Sequence, residues 1–239
     1  MPNLLTRKIT FGGEVVPALV ASAPNKIKPA RKMTVQPIPG TNREVVEMED
    51  AWECYDQPYN LFIGDATADS IYDPLFNVAK VLYKTGWQVL LDDYEPDYYR
   101  LAYFQGPFDI ENKKTRVGTF TVSFRCRAEN FLLTGDTPVV VASGGTITNP
   151  TLYDSKPLIN ITGSGSGTLT VNGTTMSFTD MVDYLNIDCD TMNVYRLPTE
   201  NRNNLMTSDS FPVLAPGSNS VSFTGGITGC TITPKWFKL

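Results

Sequence analysis

Apolar and polar positions along this chain follow two rhythms. Leu75, Val78, Ala79 and Leu82 are spaced i, i+3, i+4 and i+7, the stripe that an amphipathic helix turns toward a core. Asn77, Lys80 and Lys84 fall on its other faces. Asp73 suits the N-cap, and Pro74 suits the first helical position, where no backbone N–H is needed. Gly86 offers a left-handed stop, and Phe76 at the third position rules out a capping box. The pattern predicts one helix over Pro74–Thr85, about 18 Å long at about 1.5 Å per residue.

Elsewhere the period is two, or the apolar run is short and unbroken. Trp87–Leu91 and Tyr98–Phe104 read as strands around an acidic turn, Asp92–Asp97, and Gly106-Pro107 closes the second. In Thr119–Cys126, Phe120, Val122, Phe124 and Cys126 alternate with Thr119, Thr121, Ser123 and Arg125. Beyond residue 130 such runs are close together. Val139–Val141 reads as a buried run, and Ile159 and Ile161 alternate with polar neighbours. Asn172-Gly173 separates Leu169 and Val171 from Met176 and Phe178, the strongest short hairpin signal. Leu185, Ile187 and Cys189 form another strand, with a turn at Asp190-Thr191 leading into Met192–Tyr195. Turns at Pro216-Gly217 and Gly225-Gly226 frame the last strands, and about seven strands at this spacing suggest a β-sandwich.

Composition sharpens this picture. The 239 residues are 41% hydrophobic, enough for one or two cored domains. Residues 1–130 carry 15 Lys and Arg against 17 Asp and Glu, whereas residues 131–239 carry 5 and 8 and are rich in Thr, Ser, Gly and Asn. A domain boundary near Asn130 is expected. A net charge of −5 disfavours a general nucleic-acid binder, and no apolar run reaches transmembrane length, nor is there a signal-peptide pattern. A protein made in the cytoplasm is the plain reading.

The chain has no His, which removes the commonest general base and metal ligand. Cys54, Cys126, Cys189 and Cys230 lack ligand spacing, and the last three sit at apolar beats of strands, as buried free thiols would. Gly163–Gly167, GSGSG, lacks the Lys and the helix of a phosphate loop and reads as a flexible turn between strands. Asp92, Asp93, Glu95 and Asp97 do not follow calcium-loop spacing and read as an acidic surface turn. Neither catalysis nor a cofactor is expected. Lys26, Lys28, Arg31 and Lys32 form a basic run, and Glu44, Glu47, Glu49 and Asp50 an acidic one. Solvated surface accounts for both, or they form complementary patches between neighbouring subunits.

Several stretches together resemble the distal tail proteins of long-tailed, non-contractile bacteriophages. After the helix, Trp87, Leu90, Asp93, Pro96, Tyr98 and Tyr99 match a family run. Met33–Arg43, MTVQPIPGTNR, is similar to an early family turn, and Phe124, Cys126 and Ala128 to the close of its first domain. In the second half, Asn149 to Ile159, Gly163-Ser164-Gly165, Asp188, Phe211 to Asn219 and Ile232 to Trp236 follow its galectin-like domain in order. The resemblance implies a mainly β chain: a β-rich, ring-forming belt domain with one helix over 1–130, then a galectin-like β-sandwich over 131–239; the strand spacing here leaves room only for short loops, the longest over Leu197–Ser210, and so for no inserted arm. It implies a non-enzymatic virion protein, assembled in the host cytoplasm into a homo-hexameric ring at the tail tip. That ring would join the tail tube protein to the hub, or tail-associated lysin, protein, dock receptor-binding proteins and leave a lumen for DNA. No membrane or specific nucleic-acid contact is implied. The alternative is a carbohydrate-binding module for host attachment, although galectin sites use a His that is missing here. Trp236 is the residue able to stack on a sugar, and core is the commoner place for such a Trp.

Overall fold

The computed structural model describes residues 7–64, 71–114 and 116–239. The chain forms two compact units, residues 1–130 with Leu239, and residues 131–238. It is mainly β, with one α-helix among the described residues. No described helix is long and apolar enough to cross a membrane.

The first unit contains β1 (Ile9–Phe11), β2 (Glu14–Val15), β3 (Leu19–Val20), β4 (Arg31–Pro37), β5 (Glu44–Trp52), β6 (Tyr55–Gly64), helix α1 (Tyr72–Leu82), β7 (Gln88–Asp92), β8 (Tyr98–Phe104), β9 (Ile110–Lys114) and β10 (Val117–Leu132). Its main sheet has the order β2-β1-β7-β8-β10-β6-β3. Residues 117–126 of β10 lie antiparallel to β6, Phe124 opposite Gln57 and Phe120 opposite Leu61. The predicted alternation is realised: Phe120, Val122, Phe124 and Cys126 are buried. Phe124 packs among Phe11, Tyr59 and Phe104, with centroids 4.9 to 5.9 Å away.

Helix α1 begins and ends earlier than its sequence suggests. Ile71 is the N-cap and gives no side-chain cap, so Asp73 lies in the first turn, where its charge suits the N-terminal dipole. Tyr83 ends the helix, its N–H bonded to Ala79 O at 3.0 Å. The buried stripe is Val78, Val81 and Leu82, rotated from the expected one; Leu75 and Ala79 are half-buried. β8 spans the predicted residues, while β7 starts after Trp87, which is exposed.

The second unit contains β11 (Val139–Val140), β12 (Gly145–Asn149), β13 (Leu158–Val171), β14 (Thr174–Met181), β15 (Tyr184–Asp188), β16 (Asn193–Tyr195), β17 (Met206–Thr207) and β18 (Gly217–Thr233). Asn172 and Gly173, both at positive φ, make the predicted two-residue hairpin. Two long strands build both halves. The first part of β13 pairs with β15 and its last part with β14, while β18 lies along β13 throughout and also pairs with β11 and β12. Inward residues from both halves, Ile159, Ile161 and Ile187 with Leu169, Val171 and Phe178, share one core.

Three expectations for this unit are corrected. GSGSG is no turn between strands; it lies inside β13, where the strand passes β18 with register shifts. Gly225-Gly226 likewise lies inside β18. A Cβ on Gly226 would fall 1.8 Å from Ser164 O, and one on Gly163 2.1 Å from Gly226 O. Glycine is required because two backbones touch there. In the Val139–Val141 run only Val141 is buried, and Val140 is 80% exposed; β11 pairs with β18 alone, so it is an edge.

Candidate assembly surface

β4 and β5 form a two-stranded antiparallel ribbon apart from the main sheet of their unit. Its turn carries Pro39-Gly40, with Gly40 at φ +77, and the Ile38 N–H donates to Arg43 O at 3.0 Å. All seven residues of β4 and nearly all of β5 are exposed. Met33 faces Met48, Val35 faces Val46 and Pro37 faces Glu44. Paired residues share a face, so Met33, Val35, Val46 and Met48 form one apolar patch. Thr34 with Glu47 and Gln36 with Val45 form the other face.

The four patch side chains are 44 to 61% exposed. Covering side chains already half-buried would stabilise by roughly 1 kcal/mol each, about 4 kcal/mol in all. An isolated ribbon is marginal in water, so an uncovered apolar face on one is a candidate contact surface.

The residues singled out by charge are only partly brought together. Arg31 and Asp50 pair across the base of the ribbon at 3.5 Å, where Arg31 also donates to Glu49 O and lies over the Trp52 ring. Lys26 instead pairs with Glu95 at 2.9 Å, and Lys28 Nζ donates to Leu239 O. Lys32, Glu44, Glu47 and Glu49 stand exposed on the ribbon. These charges do not mark the ribbon's apolar face. The signal that finds it is the mirrored spacing Met-x-Val before Pro39-Gly40 and Val-x-Met after it.

A polar cluster lies inside the same unit. Arg100 is 4% exposed and donates to Tyr55 Oη at 3.0 Å and to Glu95. The Tyr59 hydroxyl donates to Asp92 Oδ2 at 3.1 Å, and the Tyr94 N–H to Asp92 Oδ1 at 2.8 Å. The acidic turn is therefore not a surface feature throughout, since Asp92 is buried and Glu95 turns onto Arg100. Burial pushes the Asp92 carboxyl up. Burial also acts upward on Glu95, but its bonds to Lys26 and Arg100 outweigh this and hold it below the ordinary carboxylate range. These groups are spent on one another, so the cluster locks strands together.

In the second unit Trp236 is 6% exposed and belongs to the core, which leaves no ring face for a sugar. Among the described residues, no three Cys, Asp or Glu side chains gather as metal ligands would.

Residues 59–126, from β6 through α1 to β10, match the family model for the phage tail protein RIFT-related domain. No curated protein sequence matches the chain significantly. Among solved structures, the chain is similar to the Dit protein of phage SPP1, a hub adsorption apparatus protein of phages that infect Gram-positive bacteria. They share 13% identity and a TM-score of 0.76, over 98% of this chain and 100% of that one. A chain of the activated phage P2 baseplate with Ca aligns at 10% identity and TM-score 0.52, over 95% and 98% of the two chains. The Sr form aligns at 10% and 0.50, over 95% and 97%. The resemblance read from the sequence thus holds in three dimensions. The family run at Trp87–Tyr99 falls inside the matched domain, and the fold is that of a distal tail protein.

Proposed function

We propose that this chain, which carries a phage tail RIFT-related domain and has the fold of a distal tail protein, is a structural hub of a phage tail. Its first unit builds a closed ring between the end of the tail tube and the tail-tip proteins beneath. Heterologous contacts between identical subunits close such a ring, and six copies are expected from the resemblance. The second unit serves as the docking platform for host-adsorption proteins, and an acidic chain suits a lumen through which DNA leaves, because a basic wall would hold it. The reading is carried by a fold match over 98% of this chain and 100% of the other.

The ribbon supports it, since an apolar face of this size on a projecting hairpin suits burial against a neighbour. Exposed ion pairs are worth about 0–1 kcal/mol each, so the apolar patch supplies more of the contact energy than Arg31, Lys32 and their acidic counterparts. The carbohydrate-binding alternative loses its stacking platform with Trp236 buried.

Native mass spectrometry and negative-stain imaging of the full-length protein test the proposal. Closed rings that cap purified tail tubes are expected. A strictly monomeric chain at high concentration, or glycan binding without ring formation, would overturn it.

A further inference from the structure

Helix α1 has an outer face that solvent alone does not explain. Phe76 is 72% exposed and Tyr83 61% exposed, with exposed Lys80 between them. The three are spaced i, i+4 and i+7, so they form one ridge. Tyr83 is held by an edge contact with Phe104, centroids 5.4 Å apart, so the ridge is braced from beneath. It is convex and aromatic and carries a positive charge. The ribbon face is flat and aliphatic, and Glu44 stands on it beyond Val35 and Val46.

We infer that the ribbon's Met33–Val35–Val46–Met48 face docks on the Phe76–Lys80–Tyr83 ridge of the next copy in the ring. The pairing rests on the ring reading and adds to it which surface receives the ribbon. Three observations favour a second copy as the occupant. Both surfaces lie on the unit that carries the matched tail domain. They differ from each other, as a head-to-tail contact requires. Their charges are complementary at one position, Glu44 on one and Lys80 on the other, where Lys80 also feels Glu14 of its own chain. Face-to-face pairing of two ribbons would yield dimers and leave the ridge bare. Methionines at two of the four patch positions suit an aromatic partner, since sulfur packs well at ring edges.

The experiment uses the full chain with Met48→Asp and, separately, Phe76→Asp. Both positions are mostly exposed, and circular dichroism confirms that each variant is folded. Wild type forms rings, while each variant alone needs about tenfold or more protein to assemble. Mixed in equal amounts, the two variants form a heterodimer and stop there. The Phe76→Asp copy offers an intact ribbon and the Met48→Asp copy an intact ridge, which makes one good interface per pair. In a second arm Glu44→Lys and Lys80→Glu each weaken assembly, and the double variant restores it. Unchanged rings from Phe76→Asp, or a mixture that stays monomeric, would overturn the pairing while leaving the ring reading intact. Rings that form normally from Phe76→Asp but no longer cap tail tubes would reassign the ridge to the tube protein. A monomeric wild type would instead remove the ring reading itself, and this pairing with it.

Discussion

The Tyr59 hydroxyl donates to the Asp92 carboxylate at 3.1 Å, with both side chains inside the core of the first unit. A carboxylate enclosed in this way is costly unless its oxygens are satisfied, and Tyr59 and the Tyr94 N–H satisfy one each. Burial raises the Asp92 pKa above its unfolded value, so its ionisation opposes folding. That penalty is present at neutral pH and fades as pH falls toward the unfolded value. Tyr59→Phe is expected to cost about 1–2 kcal/mol at pH 7, by stranding a charged oxygen, and less near pH 4. Urea unfolding at the two pH values checks this, and an equal loss at both would contradict it.

Glu95 behaves with the opposite sign. Its folded pKa is lowered once Lys26 and Arg100 outweigh burial, so its stabilising contribution exists above the unfolded value and is lost as pH falls through the folded one. Glu95→Ala takes from the buried guanidinium of Arg100 its carboxylate partner. Loss of a buried partner costs up to about 5 kcal/mol; with Glu95 itself 18% exposed, about 2–3 kcal/mol is expected at pH 7. Lys26, 65% exposed, should cost about 0–1 kcal/mol when changed to Ala. The two variants compared by denaturant unfolding separate the buried arm from the surface arm.

The cysteines give a chemical test. Burial pushes Cys126, Cys189 and Cys230 up to about 12, and all three are nearly inaccessible. A thiol with so little thiolate reacts slowly. Cys54, partly exposed, is expected to be alkylated alone in the native protein at pH 8. Mass spectrometry should find one label per folded chain and four after unfolding.

The strand crossing in the second unit should be intolerant of one methyl group. Gly226→Ala places a carbon 1.8 Å from Ser164 O, and neither backbone can retreat without breaking its ladder. A cost of at least about 3 kcal/mol is expected. Gly165 has open space around it but sits at φ +72, so Gly165→Ala should cost only about 1–2 kcal/mol. Thermal unfolding of both variants measures the difference.

What the sequence disclosed depended on how locally each feature is decided. Helix α1 could be read from Val78 and Leu82, and β8 and the Asn172-Gly173 hairpin from their own residues, because periodicity and turn chemistry act within a few positions. The glycines at 163–167 and 225–226 could not. Glycine serves a turn and a close backbone crossing equally well, and the partner strand lies about sixty residues away. Asp92 and Glu95 looked like surface because the side chains that hold them, Tyr59 and Arg100, sit on other strands. The ribbon's alternation was visible at Met33 and Val35, but a pattern of that kind does not say which side a neighbour covers.

Strand β18 follows the other named strands of the second unit in the sequence, yet both halves of that unit are built around it. It lies beside β13 along most of its length and also holds β11 and β12. On the ribosome, therefore, the β13–β14 hairpin can form early, but neither half can close until residue 233 has emerged. Until then two long strand edges stand open, in a unit whose pairings span as many as ninety residues of separation, the kind that folds slowly and is prone to aggregation. A chain cut short before β18 is complete therefore keeps the β13–β14 hairpin but closes neither half of the second unit.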